Sequence, residues 1–366
     1  MSHNSADPSA GESFIIDMLT RKKDSRKLDN FLTVSRELKE KAVCGSGYPV
    51  WLTIDPTNIC TLKCPFCSTG FGNIKRPRGM LSLENFKRII DILGTYLLHI
   101  DMQNWGEPLL NKDVYNMIAY AKKFDIHITA STNFQTFDGH CAEDLVKSGL
   151  DRLIVSIDGA SQETYEKYRR GGSFSTAIGN IRTLVAKKRE LQSRLPIVIW
   201  QFLVFRHNEH EIETVKKMGE ELGVDHMGIN SAFIAVNSDE FRDWIPLDGR
   251  YSRYDLNKYR ETAACSDDFL KPNAETVCNW LWQGMAINWD GSVSPCCGVY
   301  LEEDDSGNIL DGRDFRQLWN NERYKSAREF VHQGKKPAPG VKNPCVGCPK
   351  IGQINFDLNP DYWTRK

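Results

Sequence analysis

Short apolar runs recur along residues 46–235, and each is followed by a stretch in which apolar residues return at helical spacing. Six of the runs predict β-strands: Val50–Ile54, Leu97–Met102, Ile126–Ser131, Arg152–Asp158, Ile197–Phe205 and Val224–Asn230. Between the first two strands, Leu83, Phe86, Ile90 and Leu93 repeat every three or four positions, which predicts an amphipathic helix. Six strands that alternate with helices favour parallel βαβ units with both faces of the sheet covered.

Polar residues next to these runs predict where helices begin and end. Ser82 and Ser161 are placed as N-caps, and Asn208 with Glu211 forms a capping-box-like start. Gly149 is placed just past a helix end. Periodicity alone leaves a doubly wound sheet and a β/α barrel open, because both alternate strands with helices. In either fold, reactive residues belong in loops at the carboxyl ends of the strands.

The chain outside this pattern divides into three further segments. Residues 1–45 begin with a polar stretch, and the apolar residues that follow at helical spacing predict a helical appendage with one short amphipathic helix, namely Leu28, Phe31, Leu32 and Leu38. Residues 236–271 are rich in aromatic and charged residues without a period, which indicates a linker or lid. Residues 272–366 hold several cysteines among Gly, Pro and Trp and are predicted to form a separate domain.

Composition excludes several classes of protein. The chain has 366 residues, and its 47 Lys and Arg against 48 Asp and Glu leave a formal charge of −1, which disfavours a nucleic-acid partner. The longest apolar run, Ile197–Phe205, is interrupted by Gln201 and is far shorter than the roughly 20 residues of a membrane-spanning helix. No signal peptide is visible. We therefore expect a cytoplasmic protein without a membrane or nucleic-acid partner.

Eleven cysteines are the outlying number. In a reducing compartment disulfides are disfavoured, so clustered cysteines point to metal or redox chemistry. Directly after the first strand comes Cys60-Thr-Leu-Lys-Cys64-Pro-Phe-Cys67. Three thiolates at this spacing can bind one metal centre and leave a fourth coordination position open, as a reactive metal requires. A zinc site remains an alternative, although zinc knuckles favour paired C-x2-C units with a fourth protein ligand.

This C-x3-C-x-aromatic-C pattern, with Phe66 at the aromatic position, resembles the signature of the radical S-adenosylmethionine (SAM) superfamily. The resemblance implies an α/β fold in which residues 46–235 form a partial (β/α)6 TIM-like barrel. It implies a [4Fe–4S] cluster held by Cys60, Cys64 and Cys67, with S-adenosylmethionine as cofactor on the fourth iron. Reductive cleavage of that cofactor would give a 5′-deoxyadenosyl radical that abstracts a substrate hydrogen. An electron donor such as flavodoxin or ferredoxin is also implied.

Other strand ends resemble the elements with which this superfamily contacts SAM. Trp105-Gly106-Glu107-Pro108 follows the second strand and matches the family's "GGEP" element, with Trp in place of the first glycine. The residues that the resemblance assigns to SAM binding are Phe66, Gly106, Glu107, Ser131, Asn133, Ser156, Asp158 and Arg169. For the turn and strand-end positions, ordinary turn or N-cap chemistry is the alternative. An exposed helical arginine is the alternative for Arg169.

A second cysteine group lies in the C-terminal quarter of the chain. The Asp290-Gly291 turn predicts a β-hairpin that brings Cys278 towards Cys296, and Cys345 with Cys348 completes a four-thiolate set. A structural zinc ion would use the same geometry. The C-x12-G-x4-C opening resembles the SPASM/twitch extension of radical SAM enzymes, which implies a second, auxiliary [4Fe–4S] cluster. The adjacent Cys297 leaves the exact ligand open, and the spacing favours Cys296.

A radical enzyme with one closed auxiliary cluster suits net oxidation, because the cluster can accept the second electron. We therefore expect an oxidoreductase that oxidises or epimerises a small sugar or aminocyclitol. The alternative is a peptide maturase that modifies a ribosomally made precursor, although residues 1–45 are too short for a winged-helix recognition segment. A non-catalytic zinc protein is the third possibility. His207, Asn208 and Glu209 are placed to recognise substrate hydroxyls or to cap a helix, and the catalytic base or hydrogen donor stays unknown.

Overall fold

The computed structural model describes residues 8–137, 139–234, 241–254, 278–346 and 348. These residues form two compact units, each assembled from separate stretches of the chain. The first unit contains the described residues of Cys60–Asn73 and Ala130–Ala274. The second unit contains the described residues of His3–Ile59, Ile74–Thr129 and Glu275–Lys366.

Strands and helices are numbered here in chain order. The strands β1 to β9 are Trp51–Ile54, His99–Met102, His127–Thr132, Arg152–Ser156, Ile197–Val204, His226–Ser231, Gly284–Ile287, Ser292–Ser294 and Gly307–Asn308. The helices α1 to α12 are Pro8–Lys22, Ser25–Glu40, Leu83–Leu93, Val114–Lys122, Gly139–Lys147, Gln162–Tyr168, Phe174–Glu190, Ile212–Leu222, Phe241–Trp244, Trp280–Gln283, Phe315–Trp319 and Glu322–Gln333.

In the first unit, β5 pairs in parallel with β4 on one side and with β6 on the other. Six of the eight β5 residues are buried, as expected for a strand whose two faces are covered by helices. Its central Trp200 is fully buried and donates its indole N–H to the Ile157 carbonyl at 2.8 Å. The predicted N-cap Ser161 is confirmed, because its hydroxyl accepts from the Thr164 amide at the start of α6.

In the second unit, β1 pairs in parallel with β2 and, on its other edge, with β7. Two further backbone bonds extend the pairing of β1 with β7: Val50 N–H to Gln283 O at 2.9 Å and Asp55 N–H to Ile287 O at 3.0 Å. The predicted hairpin is confirmed, since β7 and β8 are antiparallel and Gly291 in their turn has a φ of +84°. The sequence pattern did not predict that this hairpin would continue the sheet at β1.

The predicted fold class is confirmed. All six predicted strands are present as β1 to β6, and they alternate with helices as in a partial (β/α)6 barrel. The domain boundaries at 45, 235 and 271 stay predictions. Within the predicted linker or lid, 236–271, only residues 241–254 belong to the described part of the chain.

The N-terminal appendage differs from its prediction because it contains two helices rather than one. Asp24 interrupts the helical run, and its carboxylate accepts from the Lys27 amide at 3.1 Å, which caps the start of α2. Ile15 of α1 and Phe31 of α2 are fully buried in the apolar core of the second unit. Among the described residues, no helix has the length and apolar character that crossing a bilayer requires.

Candidate functional site

The first cysteine group lies on one tightly folded loop of the first unit. Cys64 is 5% exposed, and Cys60 and Cys67 pack against the apolar cluster to which Cys64 belongs. The Cys67 amide donates to the Cys64 carbonyl at 3.2 Å. A Cβ on Gly70 would lie 2.5 Å from the Cys64 nitrogen, so only glycine lets the loop return this closely over Cys64.

Polar groups near these cysteines are directed at sulfur. The Leu62 amide and the Asn133 side-chain amide each lie 3.5 Å from the Cys60 Sγ as donors. Burial raises the pKa of the Cys64 thiol to about 11, and the positive charge of Arg169 opposes that rise. A metal that binds such a thiol displaces its proton and holds it as the thiolate.

Asp158 and Arg169, both predicted to contact SAM, form an ion pair. The Arg169 Nε lies 2.6 Å from the Asp158 Oδ2, and the carboxylate is fully buried. The other Asp158 oxygen accepts from the Leu203 amide at 2.6 Å. The pair therefore fixes the guanidinium near Cys64 at the carboxyl end of β4.

The remaining predicted SAM contacts of the first unit also lie at strand ends. The hydroxyls of Ser131 and Ser156 are 3.4 Å apart, and Ser156 donates to Gln201 on β5 at 3.2 Å. Asn133 is 5% exposed and accepts from the Gln135 amide while its own amide faces Cys60. The structure thus brings together the cysteine loop and the ends of β3 and β4.

Aromatic rings that the sequence interpretation missed surround Phe66. Its ring centroid lies 5.0 Å from that of Trp244 at right angles and 6.3 Å from that of Tyr168. Phe205 packs 4.5 Å from Tyr168 and 5.3 Å from Trp244. Their helical or strand spacing gave no sign of this cluster, because the four rings come from four separate segments. Together they enclose the cysteine loop in an apolar environment.

The segment after β5 is used differently from its prediction. Asn208 is fully buried, accepts from the Phe205 amide at 2.7 Å and donates to the Asp158 carbonyl at 3.0 Å. Asn208 stands at its predicted N-cap position, before the short 3-10 helix Glu209–Glu211, but its side chain joins β5 to the Asp158 loop and makes no capping bond to the described residues of that helix. Glu209 accepts from the amides of Leu247 and Asp248. The Asn208 side chain is therefore used within the fold, whereas a contact of Glu209 with a substrate hydroxyl stays a prediction.

His207, the third member of that segment, has a different environment. Its ring stacks 5.5 Å from Phe205 and lies 5.1 Å from Trp244, edge to face. Burial, together with a smaller contribution from the positive charge of Lys167, lowers the pKa of His207 to about 4. The imidazole is therefore neutral at pH 7, and its Nε2 finds no partner among the described residues.

Gly106 and Glu107 lie in the second unit, on the loop after β2. A Cβ on Gly106 would lie 1.9 Å from the Thr57 carbonyl oxygen, so this position requires glycine. Glu107 is 2% exposed, and one of its oxygens accepts from the Leu109 amide at 3.1 Å. Asp55, which the sequence interpretation missed, accepts from the Trp105 amide at 2.8 Å and holds the start of this loop.

The second cysteine group also lies in the second unit. Burial, together with a smaller contribution from the Cys296 and Cys348 thiols, raises the pKa of Cys278 to about 11. Burial likewise raises the pKa of Cys345, with contributions from Cys296, Cys278 and Cys348. Electrostatic interactions of this kind weaken with distance, so the four predicted ligands lie near one another. The choice of Cys296 rather than the adjacent Cys297 as a ligand stays a prediction.

The donor chemistry of both groups fits an iron–sulfur cluster. Thiolates are the usual ligands of such clusters, and N–H donors to the sulfurs tune them. Cys60 has two such donors, and the Gly298 amide donates to the Cys296 Sγ at 3.1 Å. Within the described part of the chain, no three His, Cys, Asp or Glu side chains converge closely enough to hold a single metal ion.

Comparison with known proteins gives matches over both regions. Residues 54–218 match the model of the radical SAM superfamily, and residues 278–349 match the SPASM model, an iron–sulfur cluster-binding domain. The chain is 30% identical over 315 residues to the mycofactocin maturase MftC of Mycobacterium tuberculosis. This match covers 83% of this chain and 78% of that protein. The chain is 25% identical over 318 residues to the AdoMet-dependent heme synthase of Methanosarcina barkeri, and the match covers 79% of this chain and 88% of that protein.

The fold is similar to that of Streptococcus suis SuiB. Against SuiB bound to S-adenosylmethionine the TM-score is 0.61 at 16% identity, covering 91% of this chain and 78% of that chain. Against SuiB bound to its precursor peptide SuiA the TM-score is 0.59 at 17% identity, and the match covers 81% of this chain and 70% of that chain.

Proposed function

Because the chain belongs to the radical SAM superfamily and carries a SPASM domain, we propose that it is a peptide maturase. In this proposal the enzyme abstracts a hydrogen atom from a ribosomally made precursor peptide. The observation that supports it best is the 30% identity to a mycofactocin maturase over 83% of the chain. The fold is also compatible with such a substrate, since SuiB has been solved with its precursor peptide.

Oxidation of a small molecule is the second candidate. It is favoured by the relationship to an AdoMet-dependent heme synthase, which extends over 79% of this chain. The expected sugar or aminocyclitol substrate belongs to this second candidate.

We assign the cofactors to the two cysteine groups. Cys60, Cys64 and Cys67 would hold the cluster that binds SAM, and the ligands of the auxiliary cluster would be Cys278, Cys296, Cys345 and Cys348. When bound, the first cluster supplies the electron for reductive cleavage of SAM, and the auxiliary cluster supplies a site for a second electron.

The surrounding residues position the cofactor and exclude water. Phe66, Tyr168 and Trp244 line the cysteine loop with apolar surface, which keeps solvent from reactive intermediates. The buried carboxylate of Asp158 holds Arg169 in one orientation beside Cys64, where a guanidinium can pair with the carboxylate of a ligand. Gly106 allows the close approach of its loop to the segment that precedes Cys60.

The decisive experiment is anaerobic turnover with dithionite and SAM. Candidate precursor peptides are taken from any small open reading frames found beside the gene. A pool of sugars, aminocyclitols and porphyrins supplies the competing substrates. We expect one peptide to increase the formation of 5′-deoxyadenosine and to change in mass. When that peptide carries deuterium, the label should appear in the 5′-deoxyadenosine. The Cys64→Ala variant should be inactive. Deuterium transfer only from a small molecule would replace the peptide proposal with the second candidate.

A further inference from the structure

Tyr324 carries a buried polar group without a partner. Its side chain, on α12, is fully buried, and its hydroxyl has no hydrogen-bond partner in the part of the chain that the structure describes. The ring centroid lies 4.8 Å from that of Trp319, and the Arg328 guanidinium lies 5.4 Å from the ring. Buried hydroxyls are nearly always hydrogen-bonded, because an unsatisfied one costs free energy.

Helix α12 lies beside the auxiliary cysteines. Ala327, one turn after Tyr324 on the same face of the helix, belongs to an apolar cluster against which Cys345 packs. The Ser326 hydroxyl accepts from the Asn343 side chain at 3.2 Å, and the Asn343 oxygen accepts from the Cys345 amide at 2.9 Å. The helix that carries Tyr324 therefore also fixes the loop that carries Cys345.

The electrostatics of Tyr324 indicate which groups are near its hydroxyl. Burial raises the pKa of Tyr324 far above its ordinary value; Arg328 opposes this, and Cys296, Asp305 and Cys345 add to it. Both Asp305 oxygens already accept from Arg76, whereas Cys345 packs against the apolar cluster of α12. A hydroxyl that stays protonated has a proton to donate, and a thiolate or sulfide would accept it.

We propose that the Tyr324 hydroxyl donates a hydrogen bond to a sulfur of the auxiliary cluster and thereby raises its reduction potential. The inference rests on the proposed function, because it presumes the cluster held by Cys278, Cys296, Cys345 and Cys348. Reduction adds negative charge to a cluster, so a donor to its sulfur stabilises the reduced state more than the oxidised one. A raised potential suits a cluster that accepts an electron from a substrate radical.

The test uses the full chain with Cys60, Cys64 and Cys67 replaced by alanine, so that only the auxiliary cluster gives a signal. Into this background we introduce Tyr324→Phe and measure the midpoint potential by an EPR-monitored titration. The expected shift is negative and corresponds to an about tenfold change in the reduced-to-oxidised ratio, ~59 mV for a one-electron couple. The matched control is Tyr48→Phe, because the Tyr48 ring stacks between Tyr96 and Phe315. In this control variant the midpoint potential of the auxiliary cluster should stay unchanged.

Two further measurements separate this role from a merely structural one. Deuterium hyperfine spectra of the reduced cluster in D2O should lose one exchangeable coupling in Tyr324→Phe and keep it in Tyr48→Phe. The apoprotein of the Tyr324→Phe variant should be no less stable than that of its parent, because the hydroxyl has no partner there among the described residues. Unchanged potential and unchanged coupling would overturn the proposal.

The iron and sulfide contents of the triple-alanine background are measured first. About four irons per chain are expected from one cubane cluster. Absence of any cluster overturns the auxiliary assignment and the Tyr324 proposal together. A retained cluster whose potential and deuterium coupling are both unaltered in Tyr324→Phe overturns the Tyr324 proposal alone.

Discussion

At the scale of single residues, the ion pair of Asp158 and Arg169 makes the strongest prediction. A fully buried carboxylate that loses its partner is left uncompensated, so Arg169→Met should lower the free energy of unfolding of the apoprotein by about 3–5 kcal/mol. The double variant Asp158→Asn with Arg169→Met removes both charges and should recover most of this loss. Urea denaturation measures both effects.

The control for this pair is Lys216→Met, which breaks a pair on the surface. Lys216 and Glu213 lie 2.7 Å apart with exposed side chains, and pairs of this kind contribute little. A double variant as unstable as Arg169→Met alone would show that buried charge is not the cause.

Asp55 predicts how stability depends on pH. Burial raises its pKa to about 7, while backbone donation from Trp105 and the charge of Arg76 oppose the rise. The folded state therefore binds the proton more tightly than the unfolded state does. The stability that this proton contributes is complete below pH 4 and is lost as pH rises through about 7. At 1.36 kcal/mol per pKa unit, the free energy of unfolding falls by up to about 4 kcal/mol.

The measurement compares the wild-type protein with Asp55→Asn, which keeps the Oδ1 that accepts from Trp105. Unfolding free energies at several values between pH 4 and 8 should fall more steeply in the wild type. Asp17→Asn, on the exposed side of α1, should follow the wild-type curve. Parallel curves for wild type and Asp55→Asn would refute the assignment.

At the scale of elements, the loop after β2 depends on one glycine. Gly106→Ala places a methyl group 1.9 Å from the Thr57 carbonyl, a backbone atom that cannot move aside. We expect a loss of about 2–3 kcal/mol of stability and weaker SAM binding. Gly179→Ala is the control: in the interior of α7 the new methyl group meets nothing within 4 Å, and stability should rise by about 0.5–1 kcal/mol. Thermal unfolding and SAM titration distinguish the two.

Comparing the predicted elements with the observed ones shows which of them could be predicted from sequence. Strand β5 was predicted as Ile197–Phe205 and spans Ile197–Val204, because its apolar run is long enough to identify it. Asn208 stands at its predicted N-cap position, but its side chain makes no capping bond to the described residues there. Its side chain instead bonds to Asp158, a contact between loops after two different strands. Local spacing identifies an element, whereas such contacts depend on the tertiary arrangement.

The residues of the candidate site likewise differ in whether local spacing could identify them. Cys60, Cys64 and Cys67 could be found from spacing alone, since one short loop carries them all. Tyr324 could not, because nothing near it in sequence indicates that its helix lies beside Cys345. The aromatic residues around Phe66 were missed for the same reason.

At the scale of the whole molecule, segments that are far apart in the sequence pair within the second unit. Strand β7 follows the barrel segment in sequence, yet it pairs along the full length of β1. Arg76, 4% exposed, makes two bonds of 2.7 and 2.8 Å to the Asp305 carboxylate, also from the C-terminal part. The C-terminal region is therefore part of the structural support of the barrel's first strand, in addition to carrying five cysteines.

This arrangement predicts that the barrel cannot be isolated by truncation. A chain ending at Tyr254 would expose the buried β1 edge and leave Arg76 as a buried charge without its partner, which is costly. We expect aggregation or loss of a cooperative thermal transition. Cys345→Ala with Cys348→Ala, which removes two ligands and keeps β7, should stay soluble and retain the first cluster. If the truncated chain instead unfolded cooperatively with a full first cluster, the pairing of β7 with β1 would be dispensable for the barrel.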